Sequence, residues 1–152
     1  MGHETHMREA ISEAEAAYRR GEVPVGAVAV HDGQVIARGH NRKEEWADPT
    51  AHAEMIALRE AAQALGGWRL AGVTLYCTME PCPMCAGAMV LARLPRLVYA
   101  VDDPKSGAAG SVLDVLRSPG LNHQVLVTKG VLADEVKELM ARFFKALRQE
   151  TS

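Results

Sequence analysis

In "REAISEAEAAYRR" the apolar Ile11, Ala14, Ala17 and Tyr18 recur at helical spacing, with charges on the other side. That spacing predicts a surface helix stopping at Gly21. The apolar runs "VPVGAVAV" and "QVIARG" then flank His31-Asp32-Gly33-Gln34. An Asp-Gly centre signals a two-residue hairpin turn, and the first run, apolar on both faces, reads as an interior strand. The polar "NRKEEWADP" reads as a loop ending in Asp48-Pro49-Thr50, a helix start, with "AHAEMIALREAAQAL" helical up to Gly66-Gly67. "GVTLYCTM" is a third strand, broken by Pro81 and Pro83 ahead of a helix at "MCAGAMVLARL". "RLVYAV" is a fourth strand and "DDPKSGAAGS" a loop; a fifth strand, "HQVLVTKG", follows "VLDVLRSPG". The chain closes on the amphipathic "LADEVKELMARFFKALRQE", with Leu132, Val136, Leu139, Phe143 and Leu147 as its core stripe. Strands alternating with helices predict an α/β fold, a three-layer α/β/α sandwich around a five-stranded mixed sheet with right-handed parallel crossovers after the opening hairpin. No repeat or linker divides the pattern, so residues 1–152 read as a single domain.

Composition narrows the function classes. With 48% hydrophobic and 24% charged residues and a formal charge of -2, the chain reads as globular and is not basic throughout. Any nucleic-acid contact must therefore be a local patch. The start "MGHETHMREA" lacks the apolar core of a signal peptide, and no apolar run approaches the ~20 residues of a membrane span. The expectation is a cytoplasmic protein without a membrane partner. Three cysteines make no even disulfide set, and in a reducing compartment the Cys82/Cys85 pair reads as metal ligands or redox thiols.

The chemistry concentrates in two short stretches, "HAEM" and "EPCPMC". Pro83 at a first helical position makes Cys82 the N-cap and Cys85 the third helical residue, two positions that converge. The positive end of that helix favours thiolates, which suit zinc together with one imidazole, His52. Glu54 lies about 200° round an ideal helix from His52 and is not a fourth ligand on the same side. First-turn side chains lean back toward the N-terminus, which lets Glu54 reach a water held by the metal. C-x-x-C alone equally describes a structural half-site or a redox pair, and Cys77 would close a Cys3His site. Alternation along "TLYCTM" instead groups Cys77 with Leu75 and Met79, as core. Glu80, ahead of Pro81, reads as a supporting carboxylate. His3, His6, His31, His40 and His123 have no partner spacing and read as surface or loop residues.

H-x-E with P-C-x-x-C is the signature of zinc-dependent nucleobase deaminases. With "VPVGAV", "GHNR", "DPTAHAE", "TLYCTMEPCPMCAGAM", "DDPKSGAAGS", "SPGLNH" and "ARFFKALRQE", the chain resembles the cytidine and deoxycytidylate deaminase superfamily over nearly its whole length. Within it the chain is most similar to the branch that acts on adenosine in tRNA. The resemblance implies a cytidine deaminase-like fold, one Zn2+ per subunit on His52, Cys82 and Cys85, and a homodimer that takes the tRNA anticodon arm. It implies that Glu54 shuttles protons while water displaces ammonia at C6 of adenine, leaving inosine. It also sets Asn41 and Val25 against the base and makes the loop with Asp103, Lys105 and Ser106 an RNA contact. Asp103 would accept from a ribose hydroxyl or a backbone group, and Lys105 and Ser106 would hold phosphate.

In the last helix Arg142, Lys145 and Arg148 fall at i, i+3 and i+6 in a stretch without acids. Such a row is ordinarily a solvated face; beside a nucleobase pocket it reads as a phosphate strip, with Phe144, off the core stripe, as a base-stacking or interface ring. Two other readings share the zinc motifs. One is a deaminase of free guanine, cytosine or deoxycytidylate; the other is a non-catalytic zinc-stabilised RNA-binding module, which requires a closed coordination sphere.

Overall fold

Asp32 and Gly33, with φ of 52° and 75°, reverse the chain between β1 (Gly26–His31) and β2 (Gln34–His40) in the computed structural model, which describes residues 2–151. This is the primed hairpin turn that the Asp-Gly pair predicts, and positive φ at both central residues is the type I′ geometry, whose twist matches that of the flanking strands. Met1 and Ser152, the end residues of the expected domain, lie outside the described residues. α1 (Gly2–Arg19) precedes the hairpin, starts earlier than its apolar spacing suggests, and buries Met7, Ala10, Ile11, Ala14 and Ala17. After the hairpin come α2 (Lys43–Trp46), α3 (Ala53–Leu65), β3 (Val73–Met79), α4 (Pro83–Leu91), β4 (Arg96–Val101), β5 (Leu126–Lys129) and α5 (Ala133–Thr151).

The sheet order is β2-β1-β3-β4-β5. β1 pairs antiparallel with both β2 and β3, while β3–β4 and β4–β5 are parallel, so the five-stranded sheet is mixed as expected and β1 is interior. Alternate residues feed two cores. Ala27, Ala29, Leu75, Cys77, Leu97 and Tyr99 pack toward α3 and α4. Val28, Val30, Tyr76, Val98 and Ala100 face the other way, with Met7, Ala10 and Ile11 of α1 and Val136 of α5. Helix, sheet, helix is the three-layer order. α3 sits unusually close to its sheet: a side chain at Gly39 would strike the backbone of Ala53, and the contact row Ala53, Ala57 and Ala61 is small throughout.

Four details depart from the sequence pattern. The polar stretch expected as loop contains α2, because the carboxylate of Glu22 accepts from the Glu44 and Glu45 N–H groups at 3.2 and 2.8 Å and satisfies donors that a four-residue helix leaves open. Asp48-Pro49-Thr50 is a side-chain-bonded turn, with Thr50 N–H donating to Asp48 at 2.8 Å, and the helix starts at its N-cap His52 instead. Leu147, expected in the core stripe, is exposed, and Leu132 precedes α5 with φ of 56°. His40 is buried with Nδ1 3.0 Å from the Asn41 carbonyl, and His3 and His6 contact Tyr76, so these three are not simple surface residues. No helix among the described residues is long and apolar enough to cross a membrane.

Candidate metal centre and active site

The C-terminal ends of β2, β3 and β4 and the entry to β1 all lie at one end of the sheet, as the pairs Gly26–His40 and Met79–Val101 require. There α3 and α4 both begin. Their N-caps, His52 and Cys82, have extended backbones and make no side-chain capping bond. Asn41 does that work for α3, its Oδ1 accepting from Ala53 N–H at 2.9 Å. The imidazole and the thiols are thereby left to face one another.

His52 Nδ1 lies 3.6 Å from Cys82 Sγ and 3.5 Å from Cys85 Sγ. Tetrahedral zinc with ordinary Zn–S and Zn–N bonds sets nitrogen and sulfur about 3.6 Å apart. The three residues therefore fit the ion. Pro83 at the start of α4 sets the turn that brings Cys85 round to Cys82, as its position predicts. Among the described residues this trio is the group with metal-ligand spacing. Cys77 belongs to the core instead; fully buried, it donates from Sγ to the Met79 carbonyl at 3.0 Å. Cys77 therefore does not join the trio to make a Cys3His set, and a zinc ion held by the three would keep a fourth position for chemistry.

The charges are arranged to hold a cation. The Cys85 side chain, and then His52, hold the Cys82 thiol down to about 4. Cys85, whose side chain bonds to Cys82 and is buried, is pushed far above the usual thiol range. The hydrogen bond to Cys82 raises His52. Burial raises the Glu54 carboxyl to about 7.

Glu54 and His52 both line a small cavity of about 120 Å3 with Val23, Val25, Asn41, Lys43, Met79, Glu80, Cys82, Asp103 and Ser106. Of the expected contacts, Val25, Asn41, Asp103 and Ser106 thus share a wall with the metal group. Lys105 is exposed on the same turn, where its N–H donates to Asp103 Oδ1 at 3.0 Å. Asp103 accepts from Ser106 Oγ at 2.9 Å as well, so its carboxylate shapes the loop's own backbone. Arg142, Phe144 and Lys145 are exposed on α5 outside the cavity, as is Arg148. Arg142 lies 6.0 Å from the Tyr18 ring, and Phe144 packs edge-on at 5.3 Å against Phe143.

Sequence reasoning did not single out Val23, Lys43 or Met79 as wall residues. Val23 and Lys43 each stand two residues from a residue it did find, which was the available signal. Glu80 is the supporting carboxylate expected, and its support is specific. Buried, it accepts from the N–H groups of Asp103, Ala109 and Ser111 at 2.9, 2.9 and 3.1 Å and from the Ser111 hydroxyl, fixing the loop after β4. A side chain at Gly107 would collide with that carboxylate.

Comparison with known proteins follows the same lines. The chain matches the MafB19-like deaminase family over residues 1–148. It is 49% identical over 147 residues to the tRNA-specific adenosine deaminase of Bacillus subtilis, covering 97% of this chain and 91% of that one. The tRNA-specific adenosine deaminase of Aquifex aeolicus is 45% identical over 148 residues, 97% of each chain. A solved structure from a study of A-to-I editing by tRNA:A34 deaminases at the wobble position of transfer RNA superposes with a TM-score of 0.85 at 47% identity, covering 88% of this chain and 97% of that one. The guanine deaminase of Nitrosomonas europaea superposes at 0.77 with 25% identity, covering 92% and 83%.

Proposed function

The chain belongs to the MafB19-like deaminase family, and from that premise we propose that it is a tRNA adenosine deaminase, converting adenosine to inosine at the wobble position of an anticodon loop. The observation that carries this reading is the His52, Cys82 and Cys85 triangle, of zinc dimensions and open on one side, next to the buried Glu54. Zinc held there supplies Lewis acidity that brings the pKa of water toward about 7. Glu54, its own pKa raised to about 7 by burial, takes the proton of the attacking water and delivers it to N1 of adenine. Water oxygen adds at C6; Glu54 then takes the proton of the new C6 hydroxyl and passes it to the amine, so that the C6–N6 bond breaks, ammonia leaves and the C6 carbonyl forms.

Asn41 orients the base. Because its Oδ1 is engaged by Ala53 N–H, what it offers the purine is chiefly the amide donor, rather than the two-pronged contact that a free Asn makes with adenine. Val25 packs against the ring, Asp103, Lys105 and Ser106 meet the ribose and phosphates, and Arg142, Phe144, Lys145 and Arg148 extend the RNA surface along α5. The protein works as a cytoplasmic homodimer with one zinc per subunit, each chain a single deaminase domain over residues 1–152. The test is inosine formation by zinc-loaded protein on an anticodon stem-loop with adenosine at the wobble position, beside free adenosine, guanine, cytosine and deoxycytidylate. Inosine in the stem-loop alone is expected. Ammonia from a free base or nucleotide, with the RNA untouched, would assign the same chemistry to nucleotide salvage.

A further inference from the structure

Trp46 is 48% exposed on α2, a helix of only four residues whose Lys43 lines the catalytic cavity. The surroundings of the indole are built to keep it still. The Arg42 guanidinium lies 5.3 Å from the ring centroid and is tied to Glu45 at 2.8 Å; Glu45 is tied again to Arg20, in the turn just past α1, at 2.9 Å. From beneath, the buried Glu22 carboxylate anchors the Glu44 and Glu45 amides. On the far side Arg42 N–H donates to the Ala51 carbonyl at 3.0 Å, joining α2 to the segment that enters the zinc helix. A flat, rigid aromatic ring with a cation against it, one turn from a wall residue of the cavity, is a stacking platform. Glu44 and Glu45 beside it disfavour a phosphate, which leaves the neutral face of a nucleobase as the fitting ligand.

We infer that Trp46 stacks on the unpaired nucleobase next to the adenosine being deaminated, so that α2 is a specificity element that holds the splayed loop open. The inference rests on the reading of the protein as an RNA deaminase. Its test is a cycle of kcat/KM values for the zinc-loaded protein and its Trp46→Ala and Trp46→Phe variants. Each acts on the intact stem-loop and on stem-loops with an abasic residue immediately 5′ or 3′ of the target. Trp46→Ala should lose about ten-fold on the intact loop, the usual scale for one stacked base. That loss should vanish on one of the two abasic substrates, and Trp46→Phe should retain most of the activity. A loss of equal size on all three substrates, or none, would overturn the platform. So would sedimentation showing that Trp46→Ala merely dissociates a dimer, which would assign the ring to a contact between copies. Should the unmodified protein make no inosine in any stem-loop, the RNA reading itself fails, an outcome distinct from a flat cycle.

Discussion

Glu54 has a carboxyl raised to about 7 by burial, and the sign of its effect on stability follows. Its folded pKa exceeds its unfolded one, so the folded state holds the proton more tightly. Stability from this group is complete below about pH 4.5, falls as pH rises toward about 7, and is level above that, a loss of about 3 kcal/mol in metal-free protein. Glu54→Gln should remove that loss: the stabilities of the metal-free pair should match near pH 4.5 and separate as pH rises to about 7, with the variant more stable and the gap constant above that. The same variant should keep its metal, as measured by metal analysis, and form no inosine. Near-normal turnover by Glu54→Gln would end its role as proton carrier. The Cys82 and Cys85 turn was legible because a proline sets it, whereas His52 and Glu54 were read from the match of H-x-E to a known signature, their helix having been expected to begin at Asp48-Pro49-Thr50. Glu22 was not legible. Its partners lie 22 and 23 residues away, and nothing in its neighbours distinguishes it from a surface glutamate.

The loop after β4 owes its shape to one side chain from β3's end. Glu80→Ala leaves the Asp103, Ala109 and Ser111 amides without their acceptor and should cost about 3 kcal/mol in chemical denaturation. Hydrogen exchange should quicken across residues 103–111 while the metal content holds. Unchanged protection there would show that the loop stands without Glu80. Strands and long helices were legible from periodicity, and the hairpin from Asp-Gly. α2 was not, since a four-residue helix has no period to read and depends on a carboxylate from another part of the chain. The start of α3 shifted for a related reason: Asp48 and Thr50 bond to each other, and Asn41, remote in sequence, supplies the cap.

Across the molecule, a net charge of -2 coexists with an exposed cationic row on α5. Replacing Arg142, Lys145 and Arg148 together by Gln should weaken stem-loop binding and flatten its logarithmic salt dependence by about two units, with metal content unchanged. An unaltered salt slope would confine RNA contact to the cavity rim. Chelation should abolish inosine formation and lower Tm, and added zinc should restore both; full activity in metal-free protein would contradict the metal assignment. The layer order was legible in the alternation of elements, while the interior place of β1 came from its apolarity on both faces. His52 and Cys82 stand 30 residues apart, on helices that flank β3 in the chain. A refolding chain cannot gather its donors locally: Cys82 and Cys85 come together in one turn, but the imidazole arrives only when β3 has found β1 and both helices have docked. The moment of metal capture therefore marks the joining of β3 to β1 with α3 and α4 in place, and a spectroscopic cobalt ion added during refolding would serve as a clock for that step of tertiary assembly.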